Sequence, residues 1–188
     1  MKYFDDTTEQ TLASLEQTQR EFWNISRVTG EFLYNLIKSA NCKNVVEVGT
    51  SNGYSGIWLG KALKATGGKL TTIEFWEKRF SIARENFNKC GVGDVIEIVQ
   101  GSACDVLRDL PEDFRIDFAF VDANKKEYID YFHLIHPHLK IGGYIACDNV
   151  LSHEEKCKPF IDAINSHPDY ENVVLNLPAG LSLGRKVK

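Results

Sequence analysis

The chain has no apolar run long enough to cross a bilayer. It has no CxxC pair, and its five cysteines (Cys42, Cys90, Cys104, Cys147, Cys157) are odd in number. That argues against both a disulfide framework and a cysteine zinc site. Reduced thiols in a cytoplasmic protein are the expectation. The stretch Met1 to Gln19 is polar and acidic, so it does not read as a signal peptide. There is no internal repeat, low-complexity tract or linker. There is also no excess of positive charge: 22 Lys and Arg stand against 26 Asp and Glu, a net charge of −4. This disfavours a protein whose main task is gripping nucleic acid.

What is present suits one globular domain. The 188 residues are enough for a sizeable core, and 43% of them are hydrophobic. Thr7-x-x-Gln10 reads as a capping box opening a helix. A second helix is expected over Val28–Ser39, burying Val28, Phe32, Leu33, Leu36 and Ile37. From Asn44 onward, short β-rich runs alternate with helical runs. Strands are expected at Asn44–Val48, Lys69–Glu74, Val95–Val99, Asp117–Asp122 and Tyr144–Cys147. Asn172–Leu177 and Leu181–Val187 flank Pro178-Ala179-Gly180 and read as a closing hairpin. The expected fold is therefore α/β: a Rossmann-like, doubly wound sheet of seven strands, mostly parallel, with an antiparallel last strand.

In such sheets ligands bind beyond the carboxyl ends of the strands. The first strand runs into Gly49-Thr50-Ser51-Asn52-Gly53, a tight turn before a helix. Its spacing is G-x-x-x-G, not the dinucleotide G-x-G-x-x-G. It fits an anion cradle and a plain β–turn–α connection equally well. Glu74 ends the second strand, where an acid can take ribose hydroxyls. Gly101-Ser102-Ala103 follows the third strand, small enough for a flat ring to approach. Strands four and five end in Asp122 and in Asp148-Asn149, three oxygen donors suited to Mg²⁺ or a similar hard cation. Lys125 and Lys126 could instead neutralise the carboxylates in a structural ion pair. His133-x-x-His136-x-His138 could bind zinc, but reads better as the polar end of a surface helix. Trp23 and Trp58 fit either an aromatic wall or core positions.

VVEVGTSNGYS, FVDANKKEY and ACDNV, in this order and spacing, resemble the catechol and caffeoyl-CoA O-methyltransferase group of metal-dependent class I methyltransferases. The resemblance runs from about Asn24 to the C-terminus. It implies S-adenosylmethionine as cofactor, at Ile25, Glu47, Gly49, Ser51, Tyr54, Ser55, Glu74, Gly101, Ser102, Ala103 and Asp122. It implies a cation, Mg²⁺ or another such as Ca²⁺ or Mn²⁺, on Asp122, Asp148 and Asn149. Lys125 is then the base that takes the acceptor's hydroxyl proton, with Asp122 beside it. The segment 1–40 is expected as helices over the cleft of a single domain spanning 1–188.

The implied activity is methyl transfer to a hydroxyl of a small catechol-like or phenolic acceptor. Two alternatives stand beside it: O-methylation of a modified uridine hydroxyl in tRNA, and a non-catalytic S-adenosylmethionine-binding module. The family's longer members carry an insertion after the Asp-Asn pair. Here Val150-Leu151-Ser152-His153 runs almost directly into a helix, leaving the pocket more open. A homodimer is a further expectation from the family, and a membrane partner is not.

Overall fold

A computed structural model describes residues 3–188. Three helices come first: α1 (Asp6–Gln17), the short α2 (Gln19–Phe22) and α3 (Arg27–Ser39). Then β and α alternate: β1 (Asn44–Val48), α4 (Tyr54–Thr66), β2 (Lys69–Glu74), α5 (Glu77–Lys89), β3 (Ile96–Gln100) and α6 (Ala103–Arg108). β4 (Ile116–Val121), α7 (Tyr128–Ile135), β5 (Leu139–Cys147) and α8 (Glu154–Ser166) continue the pattern, and β6 (Tyr170–Leu175) and β7 (Leu181–Lys186) close it.

The sheet order is β3-β2-β1-β4-β5-β7-β6. β1 to β5 are mutually parallel, and β7 is antiparallel to both of its neighbours. The last strand thus inserts between β5 and β6. The order reverses at β1, whose partners are β2 on one side and β4 on the other. Ligand clefts form at such switch points.

The central strands are buried on both faces. Val45 packs with α3, α4 and α5, while Val46 and Val48 pack with α7 and α8. This two-sided burial is why β1 and β4 read as near-continuous apolar runs.

Two local expectations are corrected. The cap of α1 is Asp5, not Thr7: Asp5 Oδ1 accepts from the Thr8 N–H at 2.9 Å. The helix starts two residues earlier, and Glu9 Oε1 reaches back to the N–H groups of Tyr3 and Phe4. In α3, Val28 is 52% exposed, because the buried stripe runs through Thr29, Gly30, Leu33 and Ile37. Gly30 is required there: a Cβ would sit 2.5 Å from the Trp58 indole nitrogen. Trp58 is core, 0% exposed, whereas Trp23 is 71% exposed.

Candidate active site

The strand tips open into a cleft of about 990 Å³. Its floor is the β1–α4 loop. Gly49 has φ +104°, and a Cβ there would lie 2.2 Å from the Asp122 carbonyl oxygen. Only glycine lets the β1 and β4 tips come so close. Gly53, φ +86°, starts α4 with no side-chain cap of its own; the Tyr54 N–H donates to Asn52 Oδ1 at 3.2 Å, and Tyr54 and Ser55 of this first turn line the cleft, where a helix N-terminus favours an anion. The Ser51 N–H donates to Glu74 Oε2 at 2.8 Å, and Trp76 N–H donates to Glu74 Oε1 at 2.9 Å. Two backbone donors therefore fix the Glu74 carboxylate at the tip of β2.

The N-terminal helices close one wall. Asn24, Ile25 and Ser26 line the cleft, and Ser26 caps α3 by accepting from the Thr29 N–H at 3.1 Å. The Ser51 hydroxyl donates to the Phe22 carbonyl at 2.8 Å. Tyr54 is almost fully buried, and its hydroxyl donates to Glu16 Oε1 at 2.7 Å. Glu16 and Glu9 both pair with Arg27, so α1, α3 and α4 are tied together beside the loop.

On the other side stand Asp122, Lys125, Asp148 and Asn149. Val121 and Cys147 are paired residues of neighbouring strands, so Asp122 and Asp148 leave the sheet side by side. Lys125 Nζ donates to Asp122 Oδ1 at 2.7 Å, and both side chains are largely buried. The Tyr128 hydroxyl donates to the Asp148 carbonyl at 3.0 Å and pins this tip from below. Asp148 is 2% exposed, and its Oδ1 has no hydrogen-bond partner. Burial first, and the Asp122 charge second, push its carboxyl up to about 7. A buried carboxylate oxygen with no donor is costly, and a cation would satisfy it. Asn149 Nδ2 points to Ser152 Oγ at 3.3 Å, which leaves its amide oxygen available. Two carboxylates and an amide oxygen fit a hard divalent ion that keeps several waters.

Backbone strain gathers here too. Of the four non-glycine residues with positive φ among those described, Trp23, Ser51 and Asn149 line the cleft. Such conformations persist where the surroundings over-determine them, commonly at functional sites.

Every residue expected to hold the donor, the cation or the acceptor's proton lines this cleft except Glu47. Glu47 is 0% exposed behind the loop, and is corrected from a contact residue to a supporting one. Its carboxylate accepts from Ser55 Oγ at 2.5 Å and from Thr72 Oγ1 at 2.6 Å. It sits on the Val45 face of β1, under α4, which turns it away from the opening. Burial pushes its carboxyl up to about 7; the two hydroxyls act in the opposite direction.

Sequence reasoning passed over Phe22, Phe75, Trp76, Arg79 and Lys156, which also line the cleft. Phe75 and Trp76 are 62% and 61% exposed and pack edge to face. An aromatic pair immediately after the β2 acid was a readable signal, since large exposed aromatics mark binding surfaces. Arg79 was not readable: its guanidinium lies 4.8 Å over the Trp23 ring, a contact made only once α2 folds against α5. His133, His136 and His138 do not converge. His138 Nδ1 contacts the Phe114 carbonyl at 3.2 Å, and His136 turns toward Tyr170.

This sheet order, with a glycine loop, an acid at the second strand's tip and a deep cleft between them, defines the Rossmann-like S-adenosylmethionine methyltransferase class. The family model described as O-methyltransferase matches residues 4–186, and the chain belongs to that family. It is 33% identical over 151 residues to a catechol O-methyltransferase of Niastella koreensis, covering 79% of this chain and 68% of that protein. It is 34% identical to a caffeoyl-CoA O-methyltransferase of Petroselinum crispum, covering 77% of this chain and 62% of that protein. The chain thus spans about two thirds of these relatives' lengths. Among solved structures it resembles an O-methyltransferase from Bacillus cereus in complex with SAH, with TM-score 0.86, 27% identity, and 97% and 91% of the two chains covered. It also resembles TomG from Streptomyces achromogenes, involved in tomaymycin synthesis and solved with SAM, with TM-score 0.85, 25% identity, and 98% and 91% covered.

Proposed function

We propose that the chain transfers the methyl group of S-adenosylmethionine to a hydroxyl of a small catechol-like or phenolic acceptor, with a divalent cation at Asp122, Asp148 and Asn149. The observation that carries this reading is the partnerless, buried Asp148 Oδ1, beside Asp122 and in the same cleft as Gly49 and Glu74. The donor supplies an electrophilic methyl, and Mg²⁺ or a similar ion, when bound, makes an acceptor hydroxyl easier to ionise.

The residues divide the work. Gly49 and the start of α4 cradle the anionic end of the donor, Glu74 accepts from its ribose, and Ser102 and Ala103 leave room for a flat ring. Ser55, aligned by Glu47, stands at the loop's far end. Lys125 Nζ accepts the acceptor's hydroxyl proton, and Asp122 holds that nitrogen in place. Trp23, Ile25 and the aromatic pair exclude water and hold the two reactants in attack geometry. The acceptor class is supported by the curated relatives, one acting on catechol by name and the other on caffeoyl-CoA. Five free cysteines support a reducing, cytoplasmic setting. Among the described residues no helix is long and apolar enough to cross a membrane.

The test is methyl transfer from labelled S-adenosylmethionine to catechol with Mg²⁺. Chelator, or Asp148→Ala, should lower the rate about 100-fold or more, the size expected when a Lewis acid is lost. Undiminished transfer in chelator would remove the cation from the reading and leave the donor site standing.

A further inference from the structure

The edge of the sheet opposite the cleft carries a cluster of metal-ligating side chains that methyl transfer does not use. His136 caps the C-terminus of α7, and His167 caps that of α8. Asp169 stands just before β6, which runs parallel to β5 through the antiparallel β7. Helices that follow β4 and β5 end at the sheet's far edge, so all three residues collect there, and none lines the cleft. One ligand atom from each lies within 4.8 Å of the other two, and all three side chains are half-buried. His136 Nε2 is 3.9 Å from Asp169 Oδ2, and the two imidazole rings are 4.6 Å apart between centroids.

The surroundings orient these groups. His136 Nδ1 meets Tyr170 Oη at 3.1 Å. With its proton on Nδ1, directed at that oxygen, His136 keeps the Nε2 lone pair turned toward Asp169. His167 precedes Pro168 and holds the extended backbone that a following proline enforces. Its Nδ1 accepts from the Asp169 N–H at 3.2 Å, so ligation through Nε2 moves the ring proton to Nδ1 and gives up that contact. Phe132 packs against both histidines and Tyr170, walling the cluster on its inner side. Lys186, whose Nζ donates to the His136 carbonyl at 2.8 Å, opposes a cation, as does Arg115 beyond it. A hard ion held by charge alone gains little in such a place. Two imidazoles and one carboxylate suit a borderline ion.

We propose that His136, His167 and Asp169 form a second metal site, distinct from Asp148 and its neighbours, that takes Zn²⁺ or a similar ion such as Co²⁺ or Ni²⁺ with water in the open position. A four-coordinate ion at about 2.0–2.1 Å from each ligand wants them about 3.3 Å apart. The ligand atoms therefore close by at most about 1.5 Å on binding, and His136 Nε2 and Asp169 Oδ2, 3.9 Å apart, by less. The ion staples the ends of α7 and α8 to the start of β6. It is far from the acceptor and takes no part in methyl transfer. The proposal does not depend on the activity proposed above.

The test is Co²⁺ titration of the tag-free full chain with excess Mg²⁺ present, followed by visible absorption. Low-coordinate Co²⁺ on imidazole absorbs far more strongly than octahedral, oxygen-bound Co²⁺, so the two sites are told apart. One equivalent should give strong bands in the wild type and in Asp148→Ala. His167→Ala should lose them while still binding S-adenosylhomocysteine by calorimetry, which shows that it is folded. If that variant fails to fold, Asp169→Asn carries the same test. Tyr170→Phe should weaken Co²⁺ binding about 10- to 100-fold through the lost orienting contact. Absent bands in the wild type, or equal bands in folded His167→Ala or Asp169→Asn, would overturn the proposal.

Discussion

Asp148 concentrates the chemistry of the cleft in one side chain. Its carboxyl, raised to about 7 by burial and by Asp122, must lose its proton before it can hold a cation. Mg²⁺ affinity should therefore climb about tenfold between pH 6 and pH 8, as expected for one proton displaced, and level off above. Calorimetric Mg²⁺ titration at the two pH values checks this; equal affinities would contradict it. Gly49 is the second decisive residue. Gly49→Ala brings a methyl against the Asp122 carbonyl at a backbone angle that alanine avoids, costing about 1–3 kcal/mol and deforming the loop. Urea denaturation should show the loss, and S-adenosylhomocysteine binding should fall with it. At this scale the sequence was informative where a residue's position follows from its strand tip, as for Glu74, Asp122 and Asp148, which all line the cleft. It was blind where the role depends on a fold-back contact, as for Arg79 on Trp23, and it could not show that Glu47 points away from the opening.

The N-terminal wall is held by a few polar contacts between elements. Ser26 starts α3 through one cap bond, while Arg27, paired to Glu9 and Glu16, ties α3 to α1. Ser26→Ala should lower unfolding free energy by about 1 kcal/mol, the usual value of an N-cap, as read from urea midpoints. An unchanged midpoint would mean that the cap contributes nothing. Most element boundaries in the β/α region were legible to within a few residues, because apolar strand runs are bounded by glycine and charged helices; β5 is the exception, starting at Leu139 rather than Tyr144 because the strand runs through Gly142 and Gly143. The first helices were read less well. Asp5 is hidden as a cap because Thr7-x-x-Gln10 matches the capping-box pattern two residues later, whereas Asp5-x-x-Thr8 lacks the Glu or Gln of that pattern. Val28 was assigned inward because the α3 stripe is narrow and is completed by Gly30, which no hydrophobic pattern marks.

For the whole molecule, buried acid sets the pH response. Glu47 titrates from 4.5 when unfolded to about 7 when folded, chiefly through burial. The folded state thus binds more protons than the unfolded chain between those values, and stability falls as pH rises through that window. Wild type should lose on the order of 3 kcal/mol relative to Glu47→Gln between pH 4.5 and pH 7. Chemical denaturation across that range checks the sign, and parallel curves for the two proteins would contradict it. The doubly wound order was legible from the β/α alternation. The insertion of β7 between β5 and β6 was not, since a hairpin signal fixes pairing but not which strand faces the sheet. The central claim is that Asp122, Asp148 and Asn149 hold one cation beside the donor. A crystal grown with S-adenosylhomocysteine and Mn²⁺, measured at the manganese absorption edge, tests it most directly. The account requires an anomalous peak touching oxygens of all three side chains, next to cofactor density over Gly49 and Glu74. Cofactor density there with manganese absent, or bound away from Asp148, would contradict it.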